Sequence, residues 1–319
     1  MGTVLEVARL DGLFPEWSEA RLAAAVRVNG HERRDWENFL GKFDTLRALY
    51  GSPELIDRIT REAIEDAARD GVRHLELRFS PASLARRRGF PIEQVFSWVI
   101  AAAAEAARAH GLSVSLIPSV NRHDPVEEAE HVAQTACSWM GRGVVGLDLA
   151  GNEVEFPAEP FRSIFLQAKQ AGLGLTVHAG EWTGAASVEH ALNAMQADRI
   201  AHGVRILEDE RLVAMAVERR TCFEVCLTSN LLSGVVARLE DHPLPRMIEA
   251  GLQVTLNTDD PSVCGVQLSD EYGRAVTRLG LSMVSLAGLV LTAVQASFLP
   301  NREKMRLETE LQPALLAAA

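Results

Sequence analysis

Two regimes of hydrophobic spacing divide the chain. Through residues 1–72 the apolar positions recur every three or four residues and never alternate, which is helical periodicity. Helices are predicted over 4–10, 16–28 and 35–50, with Phe39, Phe43 and Leu46 on one face of the third and Gly51 just past its end. Ser52 and Pro53 then supply a cap and a first-turn residue for a fourth helix, striped by Ile56, Ile59, Ala63 and Ala67 and closed by Gly71.

After residue 72 the rhythm changes. Short apolar runs predict strands over 74–79, 112–120, 144–150, 173–178, 199–202, 221–228 and 253–259. Between them lie helical patterns over 92–110, 126–140, 160–171, 185–194, 209–219 and 246–250, and three more follow over 270–279, 284–298 and 302–316. Alternation of this kind means parallel βαβ units. One domain is expected over 1–319: a helical part (1–72), the βα units (73–261) and C-terminal helices (262–319). The fold class is α/β, a (β/α)8 TIM barrel, with seven strands visible where a closed barrel needs eight. Since 1–72 holds no β-rich run, the absent first strand is expected to belong before residue 1.

Composition narrows the partners. With 32 basic against 43 acidic side chains the net charge is −11, which repels phosphate backbones and anionic lipid. Nucleic acid and membrane surfaces are therefore poor partners, and a neutral or cationic small molecule is not disfavoured. The apolar stretch 283–299 carries serines and Gln295 and falls short of a spanning segment. Four scattered cysteines form no C-x-x-C, and no signal peptide is expected, so a cytoplasmic, reduced setting is predicted.

The carboxyl ends of the strands carry the chemistry. They display Asp148, Gly151, Asn152 and Glu153, then His178 and Glu181, then His202 with Gly203, then Thr228, Ser229 and Asn230, and finally Asn257, Asp259 and Asp260. Charged groups at buried strand ends are costly unless paired or ligating. A neutral imidazole is the commonest metal ligand, and a carboxyl group nearby can handle protons. Other residues read as structural. Glu76 and Arg78, of one parity, are expected to be an ion pair inside the barrel, and Cys222 and Cys226 to be small core residues. His31, His110, His123, His131 and His242 are expected in solvent, and His190 in packing. Trp182 could wall a pocket or cap the barrel.

The motifs VGLDLAGNE (145–153), TVHAGEW (176–182), DRIAHG (198–203), FEVCLTSN (223–230) and TLNTDDP (255–261) resemble those of the bacterial adenosine deaminase family. The resemblance runs over nearly the whole chain. It implies a metal-dependent, amidohydrolase-type barrel that hydrolyses the 6-amino group of a purine nucleoside to give inosine and ammonia. Position by position, it implies that His178 and Asp259 are ligands of zinc (Zn2+) and that Glu181 protonates purine N1. It further implies that His202 holds and polarises the metal-bound water, and that Asp260 and the backbone N–H of Gly151 grip the ring nitrogens. One element departs. The family's first strand carries H-x-H-L-[DE]-G, whose histidines are two more zinc ligands and whose acidic residue binds the ribose, and no H-x-H occurs in this sequence.

Two protein ligands are fewer than the three usual at catalytic zinc, so weak zinc retention and little turnover are expected of this polypeptide. A start placed too far downstream, or a trimmed chain, is the expected cause, ahead of a natural pseudoenzyme. Adenosine or deoxyadenosine is the expected substrate. The alternatives are adenine or a modified nucleoside such as aminodeoxyfutalosine, a metal-free nucleoside-binding protein, and another hydrolase on the same barrel. Asp259–Asp260–Pro261 and the HAGE segment argue against the last.

Overall fold

A computed structural model of the chain describes residues 2–10 and 13–318. Four helices come first: α1 (Gly2–Leu10), α2 (Glu19–Val26), α3 (Trp36–Ala48) and α4 (Pro53–Arg69). The cap read at Ser52 is in place, and Asp35 caps α3 in the same way. Asp35 and Ser52 accept the backbone N–H of Asn38 and Leu55 at 2.8 and 3.3 Å, satisfying donors that a helix start leaves free. Val7, Leu22, Val26, Phe39 and Leu46 pack into a small core of their own with Leu232, Val263 and Val266.

Strands and helices then alternate: β1 (His74–Phe79), α5 (Pro81–Arg86), α6 (Ile92–His110), β2 (Ser113–Asn121), α7 (Val126–Ser138), β3 (Gly146–Ala150), α8 (Arg162–Ala171), β4 (Gly174–Ala179) and α9 (Ala185–Asn193). They continue as β5 (Arg199–His202), α10 (Glu210–Arg219), β6 (Cys222–Val225), α11 (Leu227–Leu232), α12 (Leu244–Glu249), β7 (Gln253–Leu256) and α13 (Pro261–Cys264). Helices α14 (Leu268–Thr277), α15 (Met283–Ala296) and α16 (Asn301–Ala318) close the chain. All seven strands are parallel and each pairs with the next in sequence, from β1 through to β7. The sheet is rolled: Arg78 on β1 reaches Glu224 on β6 at 2.5 Å, a contact a flat sheet of this order forbids. Among the described residues, β1 and β7 remain its two edges. The seven-stranded expectation is borne out.

Strand residues such as Leu147, Leu149, Leu175, Val177 and Phe223 are buried beneath the outer helices, which accounts for their continuous apolar runs. The end of the sheet where the strands begin is plugged by Phe298. A side chain at Gly174 would place its Cβ 2.4 Å from that ring, so glycine there is a matter of space. The Arg199 guanidinium stacks 3.7 Å over the ring, and Glu76 accepts the Phe298 N–H. No helix among the described residues is long and apolar enough to cross a membrane.

Three readings need correction. Thr228, Ser229 and Asn230 lie on α11, not at a strand end, because β6 stops at Val225 and the buried Glu271 carboxylate accepts the Thr228 N–H at 3.0 Å, capping a helix there. Glu76 and Arg78 do not pair with each other. Residues two apart on a strand stand roughly 7 Å apart, so each reaches across the barrel: Glu76 to Arg199, and Arg78 to Glu224 and Asp148. His242 is buried, with 3% of its surface exposed. Cys222 and Cys226 are buried free thiols, as expected.

Candidate active site

The carboxyl end of β4 presents His178. Its Nδ1 faces two acceptors, the Asp148 carboxylate at 3.0 Å and the Leu149 carbonyl at 3.1 Å, so in the neutral ring Nδ1 carries the proton and Nε2 keeps its lone pair. Burial disfavours the imidazolium, but the adjacent Asp148 carboxylate outweighs it and raises the His178 pKa. Asp148 is fully buried on β3 and held by the Ser119 hydroxyl at 2.9 Å. An imidazole backed by a carboxylate is the usual arrangement behind a metal.

His202 and Asp259 share an unusual backbone. Their φ angles are +59° and +57°, a left-handed conformation that costs non-glycine residues of order 1–3 kcal/mol and clusters at functional sites. After His202 the chain turns at Gly203, also left-handed, where a Cβ would meet the Phe223 ring at 2.3 Å. The Asp259 carboxylate accepts from the Ser229 hydroxyl at 2.6 Å. Burial pushes the Asp259 pKa upward, but His202, His178 and this hydrogen bond bring it below the ordinary carboxylate value. One potential ligand atom from each of His178, His202 and Asp259 lies within 4.8 Å of the others, and the two rings are 5.3 Å apart.

Glu181 completes the group. It is 3% exposed, and its Oε2 lies 3.5 Å from Nε2 of His202. Burial first, then the charges of Asp259 and Glu153, raise its pKa well above that of a free carboxylic acid. Asp260 is raised likewise, by burial and by Asp259 beside it. Burial lowers His202 to about 4. The site thus favours the protonated form of Glu181 beside a His202 that stays neutral at neutral pH. Gly151 follows β3 with φ +94°, against the backbone of Arg122.

A family model described as adenosine deaminase matches residues 2–314. The chain belongs to the adenosine deaminase family. An adenosine deaminase from Klebsiella pneumoniae subsp. pneumoniae is 39% identical to it over 96% of this chain and 91% of its own. The crystal structure of an adenine deaminase from Arthrobacter aurescens superposes with TM-score 0.90 at 28% identity, covering 98% of this chain and 94% of that one. An amidohydrolase from Burkhoderia ambifaria with bound Zn gives TM-score 0.90 at 26% identity over 99% and 87% of the two chains.

This adenosine deaminase family member also uses residues that sequence reasoning left without a role. The buried Glu153 carboxylate accepts the consecutive backbone N–H groups of Gly180, Glu181, Trp182 and Thr183 at 2.5–3.1 Å, and the Ser187 hydroxyl at 3.0 Å. Its signal was an acidic residue just past a buried strand end. Arg122, a buried guanidinium, donates to the His178 carbonyl at 2.5 Å and the Phe156 carbonyl at 3.2 Å, tying the ends of β2 and β4 together. Trp182 lines an open depression of about 300 Å³ with Glu181, Trp36, Arg34, Arg205 and Val235. His190 is half-buried and faces Glu159 at 3.2 Å.

Proposed function

We propose that this chain hydrolyses the 6-amino group of adenosine or 2′-deoxyadenosine, taking up water and releasing inosine or deoxyinosine and ammonia. The observation that carries this reading is the convergence of His178, His202, Asp259 and Glu181 on one spot, in a member of this family.

The donor set suits a divalent cation such as zinc: a carboxylate-backed imidazole with a bare nitrogen, facing an ionised carboxylate. His178 and Asp259 would hold it. When bound, such a cation lowers the pKa of water to about 7 and so supplies the nucleophile at neutral pH.

The remaining steps fall to the protein. Attack at C6 places charge on the purine ring, and a protonated Glu181 can deliver a proton to N1. His202, neutral and buried beside Glu181, orients the attacking water and steadies the charge that develops. Asp260, whose protonated form burial and Asp259 favour, can donate to a ring nitrogen, and the Gly151 N–H can donate to another. Burial around these groups keeps bulk water from competing.

Adenine is the second reading, favoured by the likeness to the Arthrobacter aurescens structure. Ammonia release from adenosine, deoxyadenosine, adenine and AMP, with added zinc, tests both. Fastest release from a nucleoside supports the first, and fastest release from adenine the second. Thermal stabilisation by nucleosides that chelator leaves unchanged, with no ammonia from any purine, would instead mark a metal-free binding protein.

A further inference from the structure

A directed hydrogen-bond chain runs behind His202, starting from a donor whose sense cannot reverse. The backbone N–H of Leu244 donates to Nδ1 of His242 at 3.1 Å. That nitrogen is therefore bare, and a neutral His242 carries its proton on Nε2. Nε2 lies 3.1 Å from the Asn230 side-chain oxygen, which can only accept. The other arm of that amide, Nδ2, can only donate, and it lies 3.1 Å from Nδ1 of His202. So Nδ1 of His202 accepts, and the proton of the neutral ring sits on Nε2, the nitrogen facing Glu181.

Burial makes this chain rigid. His242, Asn230 and His202 are 3%, 0% and 1% exposed, so water cannot take over a lost partner. Burial, and then the charge His202 would carry, push the His242 pKa down to about 3 and keep the ring neutral. His178 is wired in the opposite sense, with Asp148 and Leu149 both accepting from its Nδ1. Two imidazoles facing one space thus present the same nitrogen, Nε2, in different states: a lone pair from His178 and an N–H from His202.

We propose that His242, acting through Asn230, is a positioning residue that holds His202 as the Nε2–H tautomer. His202 then donates a hydrogen bond to the oxygen of the attacking water instead of offering the cation a third ligand. This rests on the reading of His202 as a water-facing residue of the deaminase site. The test reads the ring itself, so the tautomer can fail while deamination stands, and the reverse.

The experiment is a long-range 1H–15N correlation spectrum of metal-free protein labelled with 15N-histidine at neutral pH. The His202 signals are assigned by their disappearance in His202→Asn. The expected pattern is a protonated Nε2 and a bare Nδ1 on His202; the reverse pattern overturns the proposal. Because this first measurement uses the unmutated chain, it does not depend on any variant folding. In His242→Phe the Asn230 amide loses its anchor, and the His202 signals are expected to shift toward a mixture of tautomers. In His242→Gln the side-chain amide can accept from Leu244 and donate to Asn230, so the unmutated pattern should return. Identical His202 signals in the Phe and Gln variants would remove His242 from the role.

Discussion

The backbone N–H of Glu181 donates to the carboxylate of Glu153 at 2.8 Å, across 28 positions of sequence. Three neighbouring N–H groups do the same, so one carboxylate sets the course of the whole segment that carries Glu181. Glu153→Gln turns a donor toward N–H groups that need an acceptor. Hydrogen bonds to a charged group contribute about 1.5–3 kcal/mol each, and buried donors left unpaired cost about as much. A loss of about 3 kcal/mol is expected in urea unfolding, with a fall in deaminase activity. A variant as stable as the parent would show that the segment holds its shape without Glu153.

Glu181→Gln keeps the shape of the side chain but removes the ionisable proton. General acid catalysis contributes on the order of 10²–10⁴-fold, so ammonia release should fall by about that factor while the thermal midpoint hardly moves. Equal rates would assign the proton delivery to another group.

On the proposed assignment zinc should be held weakly, because His178 and Asp259 would supply two ligands where catalytic sites usually keep three. Competition with a chromophoric chelator measures this directly. Asp148→Asn removes the carboxylate behind His178, and such changes cost roughly 10–100-fold in metal affinity. An unchanged affinity would place the ion elsewhere.

Acid stability should depend on the ion pairs inside the barrel. Burial favours the neutral forms of Glu76 and Glu224, but Arg199 draws the first, and Arg78 with Arg199 the second, down from 4.5 to about 2. The unfolded chain therefore takes up these protons first as pH falls. The stabilisation is complete above about pH 4.5 and is lost progressively toward pH 2, at about 3 kcal/mol for each group. Unfolding midpoints in urea should drop steeply over that window in the parent and less steeply in Glu224→Gln. Parallel curves would contradict it.

Much of the architecture was legible in the residues. Strands buried on both faces must be apolar throughout, so each run and the ionisable residue ending it stand out locally. His178, Glu181, His202 and Asp259 all stand out in this way. The 74–79 strand and the 92–110 helix coincide with β1 and α6. Helices α5, α11 and α13 span only four to six residues, too few to establish a period, and were not seen.

Partnerships across the barrel were not legible. Glu76 and Arg78 sit two apart yet face different partners, and Phe298 meets Glu76 from 222 positions away. His242, among charged loop residues, carried no sign that it is buried against Asn230. Hydrophobic periodicity depends on neighbours within a few residues, and one chain states it in full. The direction of a hydrogen bond, the tautomer of a ring and the depression of a carboxyl pKa depend on atoms from remote segments meeting within about 3 Å. They come into being when the sheet rolls up.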